Sequence, residues 1–320
     1  MRSVTAGTYH EPVMVDMVVQ LFQPVPPGII IDATIGTGGH SEALLAACDQ
    51  VSVAGIDRDA EALAIARLRL APFGNRIKLI HGRFSDMEKL LATSGLGTDS
   101  ICGVLLDLGI SSLQVEESSR GFSYMVDGPL DMRMDASQGM TAADIVNGAS
   151  EQYLTKIFVD NGEYRNARRV AKAIVSSRPL KTTGELVRVI TGASTSSMQR
   201  RKGHPAKRFF QALRTIVNEE QAELAGVLDN AFKLLMGGGR LVVISYHSGE
   251  DQVVKESMAQ AVSGGCKCPP QLPCQCGAVS LGRLVFRGTR KPSEEEVVYN
   301  SRSRSARLRA FERVQADGQS

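Results

Sequence analysis

A chain of 320 residues has room for two modest domains, or for one domain carrying a large insertion. Apolar residues make up 43% and charged residues 22%, the balance of a globular protein rather than of a disordered or fibrous one. No apolar run approaches the ~20 residues that span a bilayer, and "MRSVTAGTYHEPVM" at the start lacks the apolar core of a secretory signal. The expectation is a cytoplasmic protein with no membrane partner.

In chain order, "GIIIDAT" (28–34), "VSVAGID" (51–57), "RIKLIHG" (76–82) and "ICGVLLDLG" (101–109) have the length and composition of strands. Helical patterns such as "SEALLAAC" and "RDAEALAIARLRLA" separate them. This alternation predicts an α/β fold, with a parallel sheet covered by helices on both faces. The rhythm breaks after Gly109. Helical stretches follow, among them "AADIVN", "EQYLTKIFVD" and "NARRVAKAIVSS", before one long helical pattern, "FFQALRTIVNEEQAELAGVLDNAFKLL", leads into a fifth strand, "RLVVISYHS" (240–248). A mainly helical domain over 113–215 is therefore expected as an insertion after the fourth strand, between two parts of the α/β domain at 1–112 and 216–320.

The net charge of +3 conceals an uneven distribution. Residues 163–214 hold thirteen Lys and Arg against Glu163 and Glu185, a local charge of +11 that leaves −8 on the rest. A second basic stretch, "NSRSRSARLRAFERV", lies near the end of the chain. Solvated helix faces and a polar tail would account for such runs, but an excess of this size favours a polyanionic partner.

Of the six cysteines, Cys48 and Cys102 sit alone in apolar segments and read as buried thiols. The other four, Cys266, Cys268, Cys274 and Cys276, crowd into "CKCPPQLPCQC". Four thiolates can hold a tetrahedral zinc ion. The one-residue spacing within each pair and the intervening prolines depart from the usual zinc knuckle, which favours free or redox-sensitive thiols over a metal.

The first strand runs into Asp32-Ala-Thr-Ile-Gly36-Thr-Gly38-Gly39-His40-Ser41, a glycine loop of the kind that lets backbone approach a ligand beyond the carboxyl end of a strand. A dinucleotide fingerprint would have glycine or alanine at Ser41, so the pattern is a partial one. Asp57, twenty-one residues after Gly36, stands where an acid accepts hydrogen bonds from a ribose diol. It could equally cap the following helix, as could Asp59. Loop and acid favour an adenosine-containing cofactor without separating NAD from S-adenosylmethionine. Asp32 inclines the choice to the methyl donor, because a carboxylate there would repel a pyrophosphate but suit an ammonium or sulfonium group.

The segments "HEPVM", "DATIGTGGHS", "GIDRD", "HGRFSDM", "LLDLGISSLQ", "GFSY", "DGPLDMRMD", "HPAKRFFQALRTIVNEE", "GGRLVVISYHSGEDQVVK" and "NSRSRSARLR" together resemble the MraW/RsmH family. These are S-adenosylmethionine-dependent 16S rRNA (cytosine-N4) methyltransferases, and the similarity runs in order from His10 to the C-terminal tail. Tyr164-Arg165-Asn166 and Gly249 depart from the family's usual pattern. The resemblance implies a Rossmann-like class I methyltransferase with a mainly helical substrate-recognition domain inserted after the fourth strand. Its partner would be 16S rRNA in the small ribosomal subunit, and its target a decoding-site cytidine. It also implies cofactor contacts at Gly38, Gly39, His40, Asp57, Phe84, Asp107 and Gln114. The loop and Asp57 stand out from the residues themselves, whereas Gln114 does not.

Cytosine N4 is a poor nucleophile, its lone pair delocalised into the ring, and a hydrogen-bond acceptor on the amino group would help. Asp107, at the end of the fourth strand, is the candidate, with the carbonyls of Leu108 and Gly109 as alternatives and a purely structural or cofactor contact as the competing role for the carboxylate. The Asn/Asp-Pro-Pro-aromatic turn of many amino-group methyltransferases is absent. A base has to leave its stack to react. Phe122 and Tyr124 are candidates to stack on it, though each could as well pack between domains. Arg133, His204, Lys207 and Arg208 are candidates to hold phosphate, and His247 with Glu250 to bind substrate or simply to bond one another. An oxidoreductase would rest on the loop and Asp57 alone, and an RNA-binding assembly factor with a cofactor-like scaffold would not need Asp57, Asp107 and the loop intact.

Overall fold

Seven strands form one sheet in the computed structural model, in the order β3-β2-β1-β4-β5-β7-β6. The structure describes residues 11–109, 117–194, 203–269 and 275–315. Strands β1 (Gly28–Asp32), β2 (Val51–Asp57), β3 (Ile77–His81), β4 (Ile101–Asp107) and β5 (Arg240–Ser245) are mutually parallel, and each lies within its expected run. Helices α1 (Val15–Phe22), α2 (Gly39–Ala47) and α3 (Ala60–Leu70) cover one face, and α4 (Met87–Thr93) lies on the other. Alternation along a strand sorts the core: Ile30, Val242 and Ile244 join the first layer, Ile31, Leu241 and Val243 the second. Because both faces are covered, β4 is buried along nearly its whole length and reads as a continuous apolar run.

Two strands lie outside the expected set. β7 (Arg307–Arg313) runs antiparallel to β5, and the short β6 (Gly282–Leu284) pairs on its outer side. β7 occupies the arginine-rich stretch that reads as a polar tail in the sequence, and the structure corrects that reading. Leu308, Ala310 and Phe311 are buried, Arg307 and Arg309 donate to the Asp251 carboxylate at 3.0 and 2.7 Å, and Arg313 donates to the Phe232 carbonyl at 2.6 Å. Three of the arginines that suggest a polyanion are thus bonded within the fold, while Arg302 and Arg304 are exposed.

The chain divides into two compact units, Met1–Gly109 with Ala222–Ser320, and Ile110–Gln221. The second is helical among its described residues: α5 (Ala142–Gly148), α6 (Glu151–Asp160), α7 (Ala167–Ser176), α8 (Thr183–Ala193) and α9 (Lys207–Val217). Thr141 and Thr182 open α5 and α8 with capping boxes closed by Asp144 and Glu185. Phe158 and Phe209 meet edge-to-face at 4.8 Å in a core of their own.

The long helical pattern before the fifth strand proves to be two helices, α9 and α10 (Glu220–Leu234). Glu219 takes a left-handed φ of 52°, and the Asn218 side chain is engaged elsewhere, donating to the Met132 carbonyl and accepting from the Met134 N–H, each at 2.8 Å. Apolar periodicity continues across the break, which is why the pattern hides it. α10 and α11 (Ser248–Ser263) complete the second layer on the sheet, and a short α12 (Glu294–Tyr299) precedes β7.

Phe311 tests whether the C-terminal strand is integral. It is fully buried and meets Phe232 edge-to-face at 5.0 Å. Phe311→Ala is expected to cost about 3–5 kcal/mol of stability, read as a lower midpoint in urea denaturation; an unchanged midpoint would make β7 an appendage.

Candidate active site

Three adjacent parallel strands end in carboxylates. β2, β1 and β4 lie side by side and close on Asp57, Asp32 and Asp107, at the sheet edge where α/β folds take ligands. The register pairs Asp32 with Gly55 and Leu105, so the backbone, not side-chain chance, gathers the acids.

The glycine loop fills the turn after β1. Gly36 and Gly38 take φ of 51° and 86°, in the left-handed region that favours glycine, and a Cβ on Gly38 would stand 2.9 Å from Leu70 Cδ1. Gly39 opens α2 close against Pro12. Asp57 accepts from the Gly36 N–H at 2.8 Å and from the Asp59 N–H at 2.9 Å, tying the loop to β2. The helix-capping role considered for Asp57 belongs to Asp59, whose Oδ1 accepts from Glu61 and Ala62. Burial pushes the Asp57 carboxyl above its usual range despite those two bonds. Its oxygens keep lone pairs with which a ribose diol could bond.

Asp32 is 1% exposed and takes a 2.7 Å hydrogen bond from the Ser41 hydroxyl. The residue that spoils the dinucleotide fingerprint is therefore the partner of the acid that would repel a pyrophosphate. Burial raises the Asp32 carboxyl to about 6, against the pull of Ser41 and His40.

His40 donates from Nε2 to the Val13 carbonyl at 2.9 Å, since a carbonyl can only accept, and this leaves Nδ1 facing Asp107 Oδ2 at 3.8 Å. The "EPVM" segment thus orients the imidazole. Asp107 is held from three sides: its N–H donates to Thr34 Oγ1 at 2.7 Å, Tyr246 donates its hydroxyl to Oδ1 at 2.7 Å, and His40 stands by Oδ2. Its side chain keeps 24% of its surface open. Burial raises the Asp107 carboxyl, with His40 and Tyr246 opposing; burial and the Asp107 charge together push the Tyr246 phenol well above its ordinary value, so it remains a donor. Sequence reasoning passes over Tyr246 and Thr34, although "SYHSGED" and "DATIGTGG" contain them. Only the pairing of β4 with β5, Asp107 opposite Ile244, brings Tyr246 near.

Phe84 is half-buried on the turn Phe84–Asp86 after β3. Gln114 lies outside the described residues, as do Cys274 and His10. His247 caps α11, its Nδ1 accepting from the Glu250 N–H at 3.3 Å, while Glu250 accepts from the Tyr246 N–H at 2.9 Å. These contacts match the internally bonded alternative for the pair.

The remaining candidates belong to the helical unit. Phe122 is 7% exposed in its core, the packing alternative weighed for it beside stacking on a base. Tyr124 is half-buried, stacked on His204 at 5.2 Å and edge-on to Phe210 at 6.0 Å. Arg133, expected to hold phosphate, forks onto the Asp131 carboxylate at 2.9 and 2.8 Å. Lys207 is exposed at the start of α9; Arg208, 57% exposed, lies 3.6 Å from Glu163.

An open sheet in this strand order, with a glycine loop after the first strand and acids closing the first, second and fourth, is the Rossmann-like architecture of class I S-adenosylmethionine-dependent methyltransferases. The chain belongs to the MraW methylase family, which it matches over residues 7–314, and S-adenosylmethionine is its methyl donor. A relative from Geobacter sp. (strain M21), named Ribosomal RNA small subunit methyltransferase H, is 46% identical over 311 residues, covering 96% of this chain and 99% of the relative. Relatives of the same name from Thermobifida fusca and Heliobacterium modesticaldum are 46% and 43% identical, covering 95% and 96% of this chain and 93% and 99% of their own lengths.

The glycine cradle and the buried carboxylates fit such a donor, which carries ammonium and sulfonium charges. Because the Asp32 carboxyl lies above its ordinary value, it acquires its charge only as pH rises through about 6. Affinity for S-adenosylmethionine, measured by calorimetry, is expected to rise between about pH 5 and pH 7, and Asp32→Asn to bind more weakly and with a flatter profile. A wild-type profile that is already flat would remove Asp32 from cation binding.

Proposed function

We propose that the chain transfers a methyl group from S-adenosylmethionine to N4 of a decoding-site (P-site) cytidine in 16S rRNA of the small ribosomal subunit. The observation that carries the chemistry is Asp107, a carboxylate held by Tyr246 and facing His40, with a quarter of its surface open at the carboxyl end of β4. Support for the substrate comes from the relatives, whose names assign them to small-subunit ribosomal RNA.

When bound, S-adenosylmethionine supplies an electrophilic methyl group on a positive sulfur. Gly38 and Gly39 would give the backbone approach, Asp57 would bond the ribose, Phe84 would meet the adenine, and Asp32 would answer the cationic end. Asp107 accepts a hydrogen bond from the cytosine amino group, localising its lone pair and balancing the positive charge that grows on nitrogen. Its raised carboxyl strengthens it as an acceptor. Alignment of nucleophile and methyl group supplies much of the remaining barrier reduction. Tyr246 and His40 position Asp107.

The helical unit recognises the RNA. Arg165, Arg169, Lys172, Lys181 and Arg188 are exposed on it. Arg214 is instead paired with Glu220 at 2.7 Å, and Arg178 donates to the carbonyls of Val146 and Ala149.

The decisive assay incubates labelled S-adenosylmethionine with small subunits from cells lacking the protein, then digests the RNA to nucleosides. Label in N4-methylcytidine is expected; label in another nucleoside would overturn the target. In the same assay Asp107→Ala should abolish turnover, and Tyr246→Phe should lower it roughly ten- to hundredfold, the loss of one hydrogen bond to a charged group. Near-normal turnover of Asp107→Ala would make that carboxylate structural. Affinity for the RNA should fall steeply as salt is raised, with a log–log slope of several units; a flat response would remove the phosphate contacts.

A further inference from the structure

The described part of the connection between α11 and β6 contributes no buried residue to a core. α11 ends on two consecutive left-handed glycines, Gly264 at φ 63° and Gly265 at φ 76°, whose N–H groups both return to the Gln260 carbonyl. The returning chain passes so closely that a Cβ on Gly264 would stand 2.3 Å from the Val279 carbonyl oxygen. Leu281 then donates to the Ala261 carbonyl at 2.9 Å before β6 begins. Both ends of the excursion are pinned to the last turn of α11, yet no described residue from 265 to 280 is buried. Apolar burial cannot order a segment of this kind, and small coreless segments elsewhere are held by disulfides or metals.

Within this excursion the Sγ atoms of Cys266, Cys268 and Cys276 all lie within 4.8 Å of one another. Thiolates about 2.3 Å from a tetrahedral zinc ion stand about 3.8 Å apart, so small side-chain rotations bring the three sulfurs to that spacing. Three soft sulfur ligands select zinc over magnesium or calcium. Gly277, at φ 68°, turns the chain immediately after the third of them. Cys48 and Cys102 differ in every respect: both are buried in the α/β core, and burial pushes their thiols up, that of Cys102 to about 12, so they stay protonated.

We propose that Cys266, Cys268 and Cys276 bind a structural zinc ion that staples the α11–β6 connection. The site is independent of the methyl-transfer reading. It replaces the free or redox-sensitive thiols that the spacing favours in the sequence, because the fold brings together sulfurs that spacing alone leaves apart. The two glycines and the Leu281 bond close the excursion at its base, and the ion closes it at the sulfurs.

The full chain, purified without chelator, is expected to carry one zinc per molecule by elemental analysis and to release it to a chromogenic chelator when a mercurial blocks the thiols. Replacement by cobalt(II) should give the visible absorption of a tetrahedral thiolate complex. Cys266→Ser with Cys268→Ser should lose the metal and melt at a lower temperature, while S-adenosylmethionine still raises its melting point. Should that double variant not fold, the cobalt spectrum of the wild-type chain decides alone. Zinc well below one per chain after incubation with zinc chloride and dialysis would overturn the proposal, as would full zinc content in the double variant or a cobalt spectrum without thiolate bands.

Discussion

The site depends on a requirement set by the sheet: three carboxylates end adjacent parallel strands, and a folded protein tolerates them there only if each is answered. Parallel pairing fixes where β1, β2 and β4 end, and hence where Asp32, Asp57 and Asp107 emerge. All three carboxyls are raised by burial. Each is met in a different way. Asp57 takes two backbone N–H groups and so ties the loop to β2; Asp32 takes the Ser41 hydroxyl and the Thr34 N–H, and its carboxyl is raised to about 6; Asp107 takes a phenol and keeps an open face. Two backbone donors, one on each oxygen, fix the Asp57 carboxylate in place and still leave lone pairs for a ligand, while Asp107 also keeps open surface.

The supporting shell reaches into parts of the chain that carry no chemistry themselves. Val13 matters because its carbonyl fixes the His40 tautomer, and Met14, at a left-handed φ of 56°, is anchored by a 2.8 Å bond from its N–H to Glu296. Glu296 belongs to α12, close to the end of the chain, so a segment before β1 is held by one after β5. Tyr246 reaches Asp107 only because β5 pairs with β4, and its own N–H is fixed by Glu250. Such residues are found by tracing what positions a functional group, not by scanning for reactive side chains.

That explains what the sequence discloses and what it withholds. The parallel strands are legible because β1, β4 and β5 are largely apolar runs, the mark of burial on both faces, and because β2 and the edge strand β3 recur at the spacing of an alternating fold. The glycine loop and Asp57 are legible because chain geometry leaves few reasons for glycines and an acid at those positions. The two antiparallel strands escape because "RLRAFER" alternates arginine with apolar residues, a pattern equally suited to a solvated tail, and nothing local says that Asp251 will neutralise two of those arginines. The break at Asn218 and Glu219 escapes because its cause, the Met132 and Met134 backbone, is more than eighty residues away. The capping of α3 by Asp59 rather than Asp57 was open in the sequence and is decided by which carboxylate reaches the Gly36 N–H.

Charge shows the same division most sharply. Two arginine-rich segments look alike in composition, yet Arg307, Arg309 and Arg313 end on a carboxylate and a carbonyl within the α/β unit, whereas Arg165, Arg169 and Lys172 are exposed on the helical unit. A guanidinium bonded internally has spent the donors that would grip phosphate, so formal charge overstates what the tail can offer a polyanion. Even within the helical unit the fork of Arg133 on Asp131 and that of Arg214 on Glu220 are structural. On α7 the apolar stripe of Val170, Ala171 and Ile174 faces its own core and so turns Arg169 and Lys172 outward. The amphipathic pattern of that helix, rather than the net charge of the chain, determines which of its cations are free to face outward.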